Sequence, residues 1–276
     1  VHLNKVSVKF LVLLLITSFI INLTGCFRFG QERLIIATTT STYDSGLLDY
    51  ILPFFMEKYD INADVVAVGT GQALAMGKRG DVDVLLVHSP EAEKEFMDQG
   101  NGALRKEIMY NHFVLLGSSE DEARVRDAGG AAEAFGKIAE NQSFFISRED
   151  NSGTYLKELD IWEKAGINPT GEWYVENGSG MAETLRMAHE KMAYTLSDRS
   201  TFVTLKNNLD IEILLEKDEE LKNIYSVIMV NPDKFPGTNH EGAENLIDFL
   251  SSPKGKDLVK NYGVEQYGQP LFFPID

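Results

Sequence analysis

Cysteine is almost missing from this chain. Cys26 is the single one among 276 residues, which excludes an internal disulfide and any metal site built on several thiolates. Positive charge is scarce as well: 26 Lys and Arg stand against 42 Asp and Glu, a formal net charge of −16. Such a surface argues against nucleic acid and extended anionic surfaces as partners. Of the five histidines, His112, His189 and His240 have no metal-ligand spacing among them. No repeat of fixed period and no low-complexity tract is present. Apart from residues 10–23, no long apolar run occurs.

That run is what the first residues supply. Lys5 and Lys9 precede it and Leu23-Thr24-Gly25-Cys26 follows, so residues 1–25 read as a signal peptide. The run is short for a transmembrane span. The position of Cys26 after small residues resembles the lipobox of bacterial lipoproteins. That resemblance implies cleavage before Cys26 and acylation of its thiol, with residues 26–32 as the linker to the folded part. Two or three acyl chains suffice to anchor a soluble domain.

Beyond the leader one unit recurs: a Val/Ile/Leu strand, a loop of Ser, Thr and Gly, then a helix. Leu34-Ile35-Ile36-Ala37 leads into Thr38-Thr39-Thr40-Ser41 and an apolar helical pattern to Tyr59. Strand 63–68 leads into Gly69-Thr70-Gly71 and a short helix. Strand 83–87 leads into His88-Ser89-Pro90, with proline marking a first helical turn. Strand–helix alternation of this kind predicts an α/β fold with sheets covered on both faces, whose ligands gather at the carboxyl ends of the strands. Strand 113–116 ends at Gly117, read as the crossover into a second lobe, and 224–230 as the strand that returns. The expected architecture is two discontinuous doubly wound lobes joined by two crossing strands with a ligand cleft between them. Residues 33–116 and 224–276 form lobe 1, and residues 117–223 form lobe 2.

The second lobe repeats the unit. Strand 143–147 is followed by Arg148-Glu149-Asp150-Asn151-Ser152-Gly153-Thr154 and a helix. Strand 173–175 is followed by Asn177-Gly178-Ser179-Gly180-Met181, and 193–196 by Ser197-Asp198-Arg199-Ser200. Helix starts carry unpaired N–H groups and a positive dipole end, and small hydroxyl residues add donors while letting an anion approach. One such loop is an ordinary helix cap; six at strand–helix junctions describe a site for an anion. Asp44, Asp150 and Asp198 are expected to cap helix starts, His88 to be structural, and Glu149 to offer Arg148 a local salt bridge. A phosphate-ester hydrolase using the same loops would need a nucleophile beside a base, or a metal. No Ser/His/Asp order, histidine cluster or reactive cysteine supplies either, so no catalytic residue is assigned.

The segments 38–41, 69–71, 147–154, 178–181 and 194–199, in this order, resemble those of the tungstate-binding proteins of bacterial and archaeal ABC importers. The resemblance runs from Leu34 to the C terminus. It implies a type II periplasmic-binding-protein fold, outside the membrane and anchored by its lipidated Cys26. Such a protein captures tungstate and delivers it to a membrane permease driven by an ATPase. No cofactor, metal or nucleic acid is implied, and a monomer is expected. By position, Thr40 and Ser41 match the first binding loop, and Thr70 and Gly71 the second. Arg148, Ser152, Gly153 and Thr154 match the third, and Gly180 and Met181 fall in the Gly-x-Gly-Met segment. Tungstate is a tetrahedral dianion and wants donors only. Molybdate, sulfate and phosphate are the alternative ligands, since sequence does not show pocket radius.

Overall fold

The structure is a computed structural model that describes residues 32–150 and 152–275. The leader, Cys26 and nearly all of the anchor linker expected from the sequence lie outside the described residues. Residues 33–276 make one compact unit.

Its first part runs β1 (Glu32–Thr39), α1 (Thr40–Asp44), α2 (Leu47–Tyr59), β2 (Ile61–Val68), α3 (Thr70–Arg79), β3 (Val84–Val87) and α4 (Pro90–Asp98). A long strand β4 (Gly102–Gly117) follows, then α5 (Ala131–Asn141), β5 (Phe145–Ser147), α6 (Gly153–Lys164), β6 (Tyr174–Glu176), α7 (Met181–Lys191), β7 (Thr195–Asp198), α8 (Arg199–Leu205) and β8 (Glu212–Leu215). The chain returns through β9 (Lys222–Val230) and ends in α9 (His240–Ser251), α10 (Pro253–Asn261), α11 (Val264–Tyr267) and β10 (Phe273–Pro274). The main sheet has the order β10-β4-β9-β3-β1-β2, with β7 and β8 also paired to β4.

Period-two alternation shows how each strand is buried. Leu34, Ile36, Val84 and Leu86 face one core with Phe55, Val227 and Phe249. Ala37, Leu85 and Val87 face another with Ala73, Phe96 and Ile228. Farther along, Phe113 and Leu115 face a core with Phe135 and Trp162, while Val114 and Leu116 face one with Leu185 and Phe202. Four cores therefore cover two stretches of sheet on both sides, the arrangement of an α/β protein.

β4 belongs to both stretches. From Gly102 to His112 it pairs antiparallel with β9, ending in the rungs Asn111↔Asn223 and His112↔Lys222. From Phe113 onward it pairs with β7, beginning at Phe113↔Asp198. The change of partner thus lies at His112–Phe113, upstream of Gly117, where the sequence reading places the crossover. Gly117 instead ends the strand, where an added Cβ would lie 2.7 Å from Leu214 and 2.8 Å from Tyr194. The first eleven residues of β4 escaped the strand reading because Arg105-Lys106-Glu107 break its apolar alternation. A further bound differs: β9 begins at Lys222 rather than at residue 224.

The aromatic core beside β5 encloses a carboxyl group. Glu158 of α6 is 2% exposed and accepts hydrogen bonds from the Tyr174 hydroxyl (2.7 Å) and Trp162 Nε1 (3.3 Å). Burial outweighs those bonds and pushes its pKa up to about 7. Between about pH 4.5 and 7 the folded chain keeps a proton that the unfolded chain has lost, so this residue makes stability fall as pH rises through that window, by at most about 1.4 kcal/mol per unit. Glu158→Gln should remove that fall. Its Tm relative to the parent should climb from pH 4.5 to 7 and level off above, whereas a pH-independent difference would contradict the assignment.

Candidate functional site

Five segments that follow strand ends meet around a cavity of about 510 Å³. Thr40, Ser41 and Asp44 come from α1, Gly69 from the start of α3, Arg148, Asp150 and Ser152 from the loop after β5, Gly180, Met181 and Ala182 from the start of α7, and Thr201, Thr204 and Leu205 from α8. Thr70 and Gly71 line a neighbouring cavity of about 600 Å³ that shares Gly69 and Asp150 with the first. Gly153 and Thr154 lie behind the wall, buried in the first turn of α6.

The helix starts differ in what they leave open. Thr39 caps α1 by accepting from Thr42 N (3.2 Å), and Ser152 caps α6 by accepting from Tyr155 N (3.2 Å). Gly69 and Gly180 cap α3 and α7 without a side chain, so no side-chain oxygen occupies the first-turn N–H groups of these two helices. A Cβ added at either glycine would meet nothing within 4 Å. Both glycines line the cavity.

Arg148 is the cation of the site and is 3% exposed. Its terminal nitrogen pairs with Asp150, while its Nε finds no acceptor. The hydroxyls of Thr70, Thr154 and Thr201 are likewise buried without a partner. Buried donors left unpaired are costly, about 1–3 kcal/mol each; on the same segments Ser147 Oγ and Arg199 Nη1 are also without a partner, as is one acceptor, Asp198 Oδ2.

The carboxylates are placed differently from the expectation that all three cap helices. Asp198 does cap α8, accepting from Thr201 N at 2.9 Å. Asp150 precedes the cap Ser152, accepts from its N–H at 3.2 Å and takes the Arg148 guanidinium, the role the sequence reading gave to Glu149. Glu149 has φ 47°, a turn in the backbone between Arg148 and Asp150. Asp44 ends α1 at the cavity wall, and burial raises its pKa against the lowering effect of Arg148.

His88, buried below the first loop, is structural as expected, yet it touches the site. Its Nε2 lies 3.1 Å from Thr39 Oγ1 and 3.5 Å from Ser41 Oγ, and its Nδ1 2.9 Å from Asn223 Oδ1. The ring stacks on Tyr225 with centroids 4.7 Å apart. Burial lowers its pKa, so the imidazole is neutral at pH 7. The sequence reading carried no residue of α8 into the site. Thr201 and Thr204 were within reach of it, because the Ser197-Asp198-Arg199-Ser200 loop that precedes them was already recognised as one of the six.

Residues 30–254 match the model of a PBP superfamily domain. The chain is 50% identical over 247 residues to the tungstate-binding protein TupA of Peptoclostridium acidaminophilum, covering 89% of this chain and 86% of that one. Among solved structures it resembles the tungstate ABC transporter protein of Geobacter sulfurreducens, at 47% identity with a TM-score of 0.77, covering 84% of this chain and 99% of that one. It also resembles the tungstate-binding protein TupA of Desulfovibrio alaskensis G20, at 40% identity with a TM-score of 0.78, covering 88% and 99%.

Gly153 tests how tightly the third loop is seated on the first. A Cβ there would lie 2.8 Å from His88 Cε1, so Gly153→Ala must push the ring off Thr39 or lift the loop. The expected cost is about 1–3 kcal/mol, the usual price of overpacking, measured as a lower Tm. An unchanged Tm would show that the loop is not held there.

Proposed function

The chain belongs to the tungstate-binding proteins of ABC transporters, within the periplasmic-binding-protein superfamily, and from that premise we propose how it holds its ligand. The protein is the extracytoplasmic, non-enzymatic binding component of the importer. In the proposed site, Thr40, Ser41, Arg148, Ser152, Gly180 and Met181 line the cavity that takes the tungstate dianion, and Thr70, Gly71, Gly153 and Thr154 join them from the adjoining helix starts when the lobes close, giving hydroxyl and backbone N–H donors and one guanidinium. Thr201 joins them.

The observation that carries this reading is the surplus of unpaired buried donors: Arg148 Nε and the hydroxyls of Thr70, Thr154 and Thr201. A fully deprotonated oxyanion can accept from all of them and has no proton to give. Hydrogen bonds to a charged group contribute about 1.5–3 kcal/mol each, enough to offset desolvation only when water is shut out. Closure supplies that condition: residues 33–112 with 222–275 and residues 113–221 act as two lobes hinged at His112–Phe113, where β4 changes partner. The net charge of −16 opposes capture at long range, but it is screened beyond about 8 Å at physiological salt. Cys26, acylated after removal of the leader, tethers the protein, which works as a monomer.

Calorimetry on the chain from residue 27 should show stoichiometric tungstate binding that molybdate, sulfate and phosphate displace less well. Equal competition by all four would leave an unselective oxyanion site. Arg148→Ala should weaken tungstate binding well over tenfold, in line with the 2–5 kcal/mol lost when a buried charge loses its partner; an unchanged affinity removes Arg148 from the site. Cys26→Ala should release the protein from the membrane, and retention would mean an uncleaved leader.

A further inference from the structure

A chain of buried side chains crosses from one half of the molecule to the other beneath the cavity. Ser200 Oγ lies 2.5 Å from Asp198 Oδ1, Asn111 Nδ2 lies 3.4 Å from Ser200 Oγ, and Asn223 Nδ2 lies 2.8 Å from Asn111 Oδ1. His88 Nδ1 lies 2.9 Å from Asn223 Oδ1, and His88 Nε2 lies 3.1 Å from Thr39 Oγ1. All seven residues from Asp198 to Thr39, counting Tyr225 beside Asn223, are buried. Asn111 and Asn223 are also the facing pair on the last rungs of β4 and β9 before β4 changes partner.

Donor and acceptor chemistry gives this chain a direction. A carboxylate only accepts, so the Ser200 proton points to Asp198 and the Ser200 oxygen faces Asn111 as an acceptor. Asn111 then presents its NH₂ to Ser200 and its carbonyl to Asn223. Asn223 in turn presents its NH₂ to Asn111 and its carbonyl to His88. A carbonyl facing Nδ1 requires the proton on Nδ1, and a neutral ring then has a bare Nε2.

The consequence reaches the first binding loop. One lone pair on Nε2 takes one proton, and Thr39 at 3.1 Å is nearer than Ser41 at 3.5 Å. With its own proton committed to His88, Thr39 Oγ1 accepts from Thr42 N (3.2 Å) and from the Thr42 hydroxyl (2.6 Å), which fills both acceptor positions and leaves none for Ser41 Oγ, also 3.2 Å away. Of these three hydroxyls only that of Ser41, which lines the cavity, has its proton uncommitted.

We propose that Asp198, through Ser200, Asn111 and Asn223, holds His88 in its Nδ1–H tautomer and so orients the hydroxyls of the first loop with the Ser41 proton facing the anion. These are positioning residues: Asn111 and Asn223 line neither cavity and act through His88 and Thr39. The relay also makes the first loop's donors depend on groups from the other half of the molecule. Two loops that face one ligand are thereby matched in polarity before it arrives, which lowers the reorganisation that binding requires.

The effect on affinity rests on the proposed tungstate site, whereas the tautomer does not, so the two are read separately. Long-range ¹H–¹⁵N correlation on histidine-labelled protein without tungstate, with His88 assigned by its loss in His88→Gln, should show Nδ1 protonated and Nε2 bare. An Nε2–H ring or an average of the two tautomers would overturn the relay. Asn223→Leu removes the acceptor and should move the proton to Nε2 while weakening tungstate binding severalfold; retention of Nδ1–H would equally overturn it. Tyr225→Phe removes the side bond to Asn223 without cutting the chain and should leave the tautomer unchanged, a switch counting against the proposal. If Asn223→Leu fails to fold, the parent and Tyr225→Phe spectra decide. Absence of tungstate binding in a parent with Nδ1–H would refute the proposed site and leave the relay standing.

Discussion

Taking a doubly charged ion out of water is possible only where donors outnumber acceptors, and a protein that prepares such a place carries its unmet donors while the ion is absent. Everything around the cavity follows from that constraint. Arg148 and the threonines at 70, 154 and 201 are buried with unfilled bonding capacity, a cost that most buried polar groups in proteins avoid. Asp150 relieves part of it by taking one side of the guanidinium. The glycine caps at 69 and 180 expose backbone N–H groups, which need no side-chain ordering to be in position. The loops therefore hold their donors fixed by the strands and helices behind them rather than by contact with the ligand.

The strand β4 links this chemistry to the fold. It is the one strand that forms hydrogen bonds with β9, β7, β8 and β10, so both halves share a continuous backbone. Its partner change puts two asparagines at the boundary, facing each other across β4 and β9. Buried polar pairs are kept where they fix one arrangement against others, and here they join the end of the first sheet to the start of α8.

Much of this was legible in the sequence because its signals are local. A strand followed within four residues by hydroxyls and glycine is visible as a string, and the order of those strings located Thr40, Ser41, Arg148, Ser152, Gly180 and Met181, all of which line one cavity. What stayed hidden depends on distant partners or on single dihedral angles. Asn111 and Asn223 are 112 residues apart, and neither stands in a motif. The partner of Arg148 is Asp150 rather than Glu149 because of a left-handed turn at residue 149, which no composition reveals. The first part of β4 was obscured because Arg105-Lys106-Glu107 interrupt its alternation, which the strand breaks with two register shifts against β9.

The empty space beyond Gly69 and Gly180 has a consequence for how such sites diversify. A pocket with room for side-chain carbon at two of its lining residues can be narrowed one carbon at a time, without moving a strand or a hinge. Changing ion size then becomes a matter of what stands at two helix caps. Specificity can drift quickly in such a scaffold while the architecture stays fixed.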